Sequence, residues 1–193
     1  AEIGVSLTVI TPTEHLPIDF ELYLPHSWTD DPDRRLEARI PEEIQFQTKP
    51  ELGIAMLRRA MAAGVPLGTV LGDCAYGHSG RLRLACRELG LPYALGVMPN
   101  DRVSRLDRRG RRIDEAPVAI EDFAMGLGPG GFRKTTWRQG SKAPLSSYFA
   151  MERVHMVQGE GMDDSEPEDV LLLMEWERGE SAPSKYCVLW SPQ

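Results

Sequence analysis

Residues 69–100 combine a strand, a turn, a helix and a second strand in immediate succession, TVLGDCAYGHSGRLRLACRELGLPYALGVMPN. The apolar strand Thr69–Asp73 ends in an aspartate, and the second strand covers Pro92–Met98. Between them, Ser79 can cap a helix that Gly90 ends. Helical spacing i, i+3, i+4, i+7 connects Leu82, Ala85, Cys86 and Leu89. The unit predicts parallel strands, with Asp73 at the strand end where α/β folds hold ligands and metals.

The preceding segment predicts a hairpin followed by helices. Apolar and polar residues alternate along Ile3–Ile10 and Ile18–Leu24, and a polar helical turn follows near Asp31–Arg39. Thr48 and Glu51 form a capping-box signature for a helix that runs to about Ala63. The order β-β-α-β-α-β predicts an α/β fold with a mixed sheet. A ribonuclease-H-like core is a strong candidate, incomplete because its first strand would lie upstream of Ala1. We assign residues 1–104 to this core.

Beyond the second parallel strand, the pattern predicts a β-rich region over residues 105–193. Pro99–Glu115 is expected to be an arginine-rich loop, Val118–Phe123 a short helix and Gly159–Asp169 an acidic, mobile loop. The strand-like segments are Trp137–Arg138, Ser146–Val157, Val170–Glu177 and Lys185–Trp190, the last two forming a hairpin.

Composition limits the class of protein. The chain of 193 residues is 41% hydrophobic and 26% charged, as in globular domains. No apolar run approaches the ~20 residues of a membrane span. Three cysteines at unrelated spacings suggest neither a disulfide framework nor a zinc site, and a reducing cytoplasm fits best. The chain starts without methionine and without a leader-like segment, so we expect a piece of a longer protein.

Charge is unevenly distributed. The formal net charge of −7 argues against a simple nucleic-acid binder, but residues 159–180 alone hold nine acids and one base. The rest of the chain is therefore close to neutral and contains two basic groups that are plausible DNA contacts. Aspartates among the arginines of the first group weaken the case that it contacts DNA. The second group could instead be the hydrophilic end of a hairpin. The groups are Arg102, Arg105, Arg108, Arg109, Arg111 and Arg112, and Arg133, Lys134, Arg138 and Lys142.

Asp73 is the main candidate for chemistry. It is either a metal-binding carboxylate that helps hold Mg²⁺ for phosphoryl transfer or an aspartate that caps the next turn. Tyr76 either lines the site or packs, and Gly77 is expected to provide backbone freedom. Asp19 and Glu21, in the second strand of the hairpin, are expected to be solvated rather than catalytic.

Four stretches, in order along the chain, resemble the DDE transposases of bacterial insertion sequences, in the branch of DDE superfamily endonucleases. The stretches are PIDFELYLPHSWTDDPDRR, FQTKPELGIAMLRRAMAAGVP, VLGDCAYGHSGRLRLACRELGLPYALGV, and WRQGSKAPLSSYFAMERV with KYCVLWSP. The family often has Asp-x-Gly-Tyr-Gly where this chain has Asp73-Cys-Ala75-Tyr-Gly. Alanine in place of glycine would cost ~1 kcal/mol or more if the position required positive φ.

The resemblance implies a ribonuclease-H-like core in which Asp, Asp and Glu bind two Mg²⁺ ions, with Mn²⁺ as a substitute. Such enzymes cut the ends of the element and join them to target DNA. Asp73 matches the second Asp. The first Asp would lie upstream of Ala1, the Glu downstream of Gln193, and residues 105–193 resemble the β insertion between the last two acids. The likeness also implies DNA partners, a homodimer of the full-length protein, and action at the bacterial nucleoid.

Three hypotheses follow. The first is a fragment of a transposase catalytic core, inactive alone because one carboxylate of three cannot place two metals. The second is a non-catalytic remnant that acts as a DNA- or protein-binding module. The third, an unrelated metal-dependent hydrolase with an α/β core, needs a second acidic or histidine ligand near Asp73.

Overall fold

The computed structural model describes residues 3–107, 109–113, 116–139, 144–157 and 168–192. By its contacts, the chain divides into a first unit, Ala1–Gly68, and a second unit, Thr69–Gln193. The assignment of residues 1–104 to a core and 105–193 to an insertion stays a prediction. Among the described residues, no helix is long and apolar enough to cross a membrane.

The first unit is a two-stranded antiparallel sheet packed on a helix. The strands are β1 (Ile3–Ile10) and β2 (His15–Tyr23), so β2 begins three residues earlier than predicted. Two short helices follow, α1 (His26–Thr29) and α2 (Pro32–Glu37), and then α3 (Lys49–Ala62). The predicted capping box is confirmed at the start of α3, where the side chain and backbone of Thr48 and Glu51 bond reciprocally.

On strand β2 of the hairpin, the polar positions 19 and 21 face helix α3 and the apolar positions 20 and 22 are exposed, which is the reverse of the expected pattern. Asp19 and Glu21 both bind the guanidinium of Arg59 on α3, at 2.9 and 2.7 Å, so neither is simply solvated. On the alternate positions of β2, Phe20 and Leu22 remain exposed. Alternation therefore located the strand correctly but not the face on which α3 packs.

The second unit is built on one mixed sheet of mostly antiparallel strands. Its order is β3-β4-β10-β9-β8-β5-β6, and β7 pairs with β8. Among the strands that the structure describes, only β3 and β4 are parallel to each other, as the strand–helix–strand pattern predicted. A mixed α/β architecture of this kind is compatible with a ribonuclease-H-like fold. The strands are β3 (Val70–Gly72), β4 (Tyr93–Gly96), β5 (Arg102–Arg105), β6 (Val118–Ala119), β7 (Arg133–Gln139), β8 (Pro144–Met156), β9 (Asp169–Trp176) and β10 (Lys185–Trp190).

In the part of the chain that the structure describes, three α-helices accompany this sheet. They are α4 (Cys74–Gly77), α5 (Gly80–Glu88) and α6 (Ile120–Leu127). The side chain of Ser79 caps α5 as predicted, and Leu82, Ala85 and Cys86 are buried. Helix α6 begins two residues later than the predicted Val118–Phe123, because Val118–Ala119 form β6, and it ends four residues later; a 3-10 turn at Pro129–Gly131 follows it. The core combines these helix faces with alternate residues of the central strands, such as Leu95, Leu172 and Val188.

The prediction of a loop over Pro99–Glu115 was wrong, and the prediction of an acidic loop over Gly159–Asp169 is tested only at Glu168 and Asp169. Pro99–Glu115 contains strand β5, which pairs with β8 and buries Val103 and Ser104 between exposed arginines. The sequence contains little sign of this strand, because Val103 is its one apolar residue and stands among arginines. In the acidic segment, Glu168 is buried and β9 begins at Asp169. Residues 159–167 of that segment lie outside the described residues.

Candidate active-site carboxylate after strand β3

Asp73 lies directly after β3, at the carboxyl end of the parallel strand pair. Its backbone is extended, and its Oδ1 accepts the backbone N–H of Ala75 at 2.9 Å, so the residue is the N-cap of α4. The side chain is exposed. The capping interpretation is therefore confirmed. It does not conflict with the metal interpretation, because no described residue hydrogen-bonds the second carboxylate oxygen, Oδ2.

Gly77 and Gly96 allow α4 to lie directly on β4. A Cβ at Gly77 would stand 1.9 Å from the carbonyl oxygen of Gly96, and one at Gly96 would stand 2.9 Å from the nitrogen of Cys74. The predicted reason for Gly77 was wrong, since its φ is not positive. Glycine is needed there because two backbones touch. This contact fixes the distance between the Asp73 turn and the sheet.

Tyr76 packs against the turn, and the charge of Asp73 affects its pKa. It is half-buried, and a Cβ at Gly72 would stand 3.2 Å from the Tyr76 Cβ. Burial raises the pKa of the Tyr76 phenol, and the Asp73 carboxylate raises that pKa further. Ala75 adopts no positive φ, because Arg39 is the one non-glycine residue with positive φ among those described. Alanine at position 75 is therefore compatible with the local geometry.

A buried ion pair contacts the end of the α4 turn. The Arg83 guanidinium contacts the Glu168 carboxylate through Nε–Oε1 at 2.6 Å and Nη2–Oε2 at 2.9 Å. Its third nitrogen, Nη1, donates to the carbonyl of Gly77, the last residue of α4. The Tyr93 hydroxyl donates to Glu168 Oε1 at 3.1 Å. Burial acts to lower the pKa of Arg83, but Glu168 outweighs that effect and the pKa is raised.

Sequence reasoning missed this network for a definable reason. Arg83 is the residue after Leu82 on helix α5 and is only 1% exposed. An arginine on an amphipathic helix is normally assigned to solvent. Its partner, Glu168, belongs to the acidic run that we assigned to a solvated loop. No local pattern connects two residues 85 positions apart.

A second missed pair lies at the end of α4. His78 Nδ1 is 2.5 Å from Asp101 Oδ1, and Asp101 Oδ2 accepts the backbone N–H of Met98 at 2.8 Å. The His78 side chain is exposed, whereas Asp101 is largely buried. Asp73 and His78 thus cap the two ends of one helical turn. The scattered histidines in the sequence gave no sign of this arrangement.

The predicted DNA contacts that lie among the described residues are exposed. Arg102 and Arg105 lie at the two ends of β5; Arg102 donates to the Pro117 carbonyl, and the Arg105 guanidinium lies 5.0 Å from the ring centroid of Phe123. Arg109 is exposed in the turn after β5, and Arg138 is exposed on β7. Arg108 and Lys142 lie outside the described residues. Their role in DNA binding stays a prediction.

Comparison with known families gives an independent result. A family model described as DDE superfamily endonuclease matches residues 1–144, which is most of the chain and includes the Asp73 turn. The chain belongs to the DDE superfamily endonucleases. No curated protein matches it.

As a DDE superfamily endonuclease, the chain is expected to take part in chemistry on DNA, and enzymes of this superfamily generally use divalent metal ions. The described residues do not complete such a site. They contain no group of three or more His, Cys, Asp or Glu side chains that could hold a metal ion. Mg²⁺ requires near-octahedral oxygen coordination, and two-metal catalysis requires several carboxylates. Asp73 alone provides one ligand, so no metal-dependent step is derived from these residues.

Proposed function

We propose that this chain is part of the catalytic core of an insertion-sequence DDE transposase, with Asp73 as the second of three acidic residues. The parent would carry out Mg²⁺-dependent DNA cleavage and strand transfer as a dimer on the bacterial chromosome, in the cytoplasm. The observation that supports this is the construction of the Asp73 turn. The turn that follows this exposed carboxylate is held by a backbone contact between Gly77 and Gly96 and by the buried Arg83.

The chain alone is expected to be inactive. The missing acids would lie in the longer reading frame, an Asp on a strand upstream and a Glu on a helix downstream. The experiment compares nicking of supercoiled plasmid by the 193-residue chain and by a protein extended at both ends from the same gene. Only the extended protein should nick, with Mg²⁺ or Mn²⁺ required. Asp73→Ala should abolish its activity, whereas the exposed control Asp122→Ala should retain it.

Two outcomes would contradict this proposal. Metal-dependent nicking by the 193-residue chain that Asp73→Ala abolishes would show a complete site in this chain. Extended protein that nicks equally well with Asp73→Ala would remove Asp73 from the chemistry. The third hypothesis, an unrelated hydrolase, has no support from the described residues, because they contain no group of three or more His, Cys, Asp or Glu side chains that could hold a metal ion.

A non-catalytic DNA-binding module is the second candidate function. It is favoured by three exposed cations on β7, Arg133, Lys134 and Arg138, which make no ion pair within the described part of the chain. Unpaired cations on an edge strand can contact phosphates, and each such contact makes affinity depend on salt. Steep salt dependence without cleavage by either protein would support this candidate, whereas affinity that is flat across salt would count against it.

A further inference from the structure

An aromatic cavity lies at the end of the sheet where β9 turns toward β10. It has a volume of about 360 Å³, and its lining combines the aromatic residues Phe132, Tyr148 and Trp176 with the charged residues Glu177, Arg178 and Glu180. This volume is at the small end of ligand pockets, which run from ~300 to 1,000 Å³. It suits a single planar group rather than a long segment.

The walls of the cavity are fixed before any ligand arrives. Trp176 Nε1 donates to the carbonyl of Glu180 at 3.0 Å, and the Ser147 hydroxyl donates to the Trp176 carbonyl at 3.0 Å. The ring of Phe132, which is 7% exposed, meets the Trp176 ring edge-on with centroids 5.3 Å apart. Tyr148 is directly opposite Trp176 in the β8–β9 register and remains 38% exposed. The rings of Tyr148 and Trp176 therefore offer a ligand a surface that is already ordered.

Two basic side chains lie close to the aromatic rings of the cavity. Lys134 of β7 is directly opposite Tyr148, so Lys134, Tyr148 and Trp176 form one row across three strands. Lys134 and Arg178 make no ion pair with any described residue. Glu177, in contrast, is already bound by Lys185, with Nζ 2.5 Å from Oε1. Two cations without an ion pair among the described residues thus lie beside the rings of Tyr148 and Trp176, and the opposing charges are Glu180 and the Glu177 carboxylate that Lys185 already binds.

We propose that this cavity receives an unpaired base of single-stranded DNA, with Lys134 and Arg178 contacting the neighbouring phosphates. The proposal rests on the proposed function for its choice of DNA, and it adds a site and a preference for unpaired nucleotides. Aromatic rings flanked by cations are the usual platform for single-stranded nucleic acid, because every base has a face that stacks. A base inside a duplex cannot enter such a cavity. Tyr148 and Trp176 both lie beyond the residues that match the family.

The test measures fluorescence anisotropy of labelled oligothymidine of about 20 nucleotides, a length that spans one or more sites of this type. A blunt duplex of equal length is the comparison, and the protein is the 193-residue chain. Single-stranded DNA should bind more tightly than the duplex. Tyr148→Leu should weaken single-strand binding roughly tenfold, since one stacking contact contributes that order of affinity. Tyr148→Phe, which keeps the ring, should retain it.

Matched controls separate stacking from general effects. Phe20→Leu removes an exposed aromatic ring in the first unit and should change neither affinity. Lys134→Gln should weaken binding to both DNAs and lower the salt slope by about 1. Should Tyr148→Leu impair folding, tryptophan fluorescence of the unaltered chain provides a second readout, because a base stacked on Trp176 quenches its emission.

Distinct results would overturn the proposal. Equal single-strand and duplex affinities, Tyr148→Leu with unaltered affinity, or no quenching at saturating single-stranded DNA would each remove the base site while leaving the transposase assignment intact. An oligolysine peptide that binds in a Tyr148-dependent manner when DNA does not would assign the cavity to a cationic protein segment. No binding of any DNA, even at low salt, would contradict both this site and DNA as the partner of the chain.

Discussion

Arg83 and Glu168 form an ion pair with two hydrogen bonds, although they are 85 residues apart in the sequence. Their side chains are only 1% and 4% exposed. The same arginine donates to the carbonyl of Gly77. One side chain thus connects α5, the start of β9 and the end of the helical turn that Asp73 caps. The position of the candidate carboxylate therefore depends on a contact far along the chain.

Removing the acid of this pair should strongly destabilise the protein. Glu168→Gln leaves the Arg83 charge buried without a counter-charge, and breaking a buried pair in this way typically costs ~3–5 kcal/mol. The measurement is the free energy of unfolding from urea titration. Lys185→Ala is the matched control: it breaks an exposed pair with Glu177, and such pairs contribute about 0–1 kcal/mol.

A double variant shows whether charge or volume is responsible. Arg83→Met with Glu168→Leu removes both charges, and apolar replacement of a buried pair is often neutral or stabilising. The double variant should therefore unfold at higher urea than Glu168→Gln. Equal destabilisation of Glu168→Gln and Lys185→Ala would mean that the pair is not buried in solution.

Gly77→Ala should displace or destabilise the Asp73 turn. The added Cβ would meet the Gly96 carbonyl oxygen at 1.9 Å, and overpacking costs typically ~1–3 kcal/mol. Gly130→Ala is the control, because nothing lies within 4 Å of its Cβ position and its φ is not positive. Thermal unfolding should separate the two variants by several degrees. Matching melting temperatures would show that α4 does not rest on β4.

Local patterns predicted much of this fold because they are set by short-range chemistry. The capping box at Thr48 and the cap at Ser79 depend on hydrogen bonds within one helical turn. The parallel strands around α5 follow from helical and apolar periodicity within about 30 residues. Asp73 was located correctly at the strand end for the same reason.

The remaining features depend on contacts that no local pattern contains. Strand β5 exists because Val103 and Ser104 pair with β8, some fifty residues away. Arg83 and Glu168 are buried because they bind each other, and either alone would be assigned to solvent. Gly77 is explained by Gly96 on another element. Each of these errors therefore concerned a residue whose environment is made by a distant segment.

Mg²⁺ should not stabilise the isolated chain measurably. Ligand stabilisation grows as RT ln(1 + [L]/Kd), and one carboxylate gives a weak site, so millimolar Mg²⁺ should raise the melting temperature by less than about 2 °C. Asp73→Asn should behave identically, because the amide oxygen can still cap α4. A saturable rise in melting temperature that Asp73→Asn abolishes would reveal further ligands around Asp73.

Stability should decline in alkaline solution partly through Cys86. This thiol is fully buried, and burial raises its pKa to about 11 from the ordinary value of 9.0. The unfolded chain therefore ionises Cys86 first, so the stabilisation is complete below pH ~9 and is lost between pH ~9 and ~11, at most about 3 kcal/mol. Urea titrations across this range should show a shallower decline for Cys86→Ala than for the unaltered chain. Parallel curves would contradict the burial of this thiol.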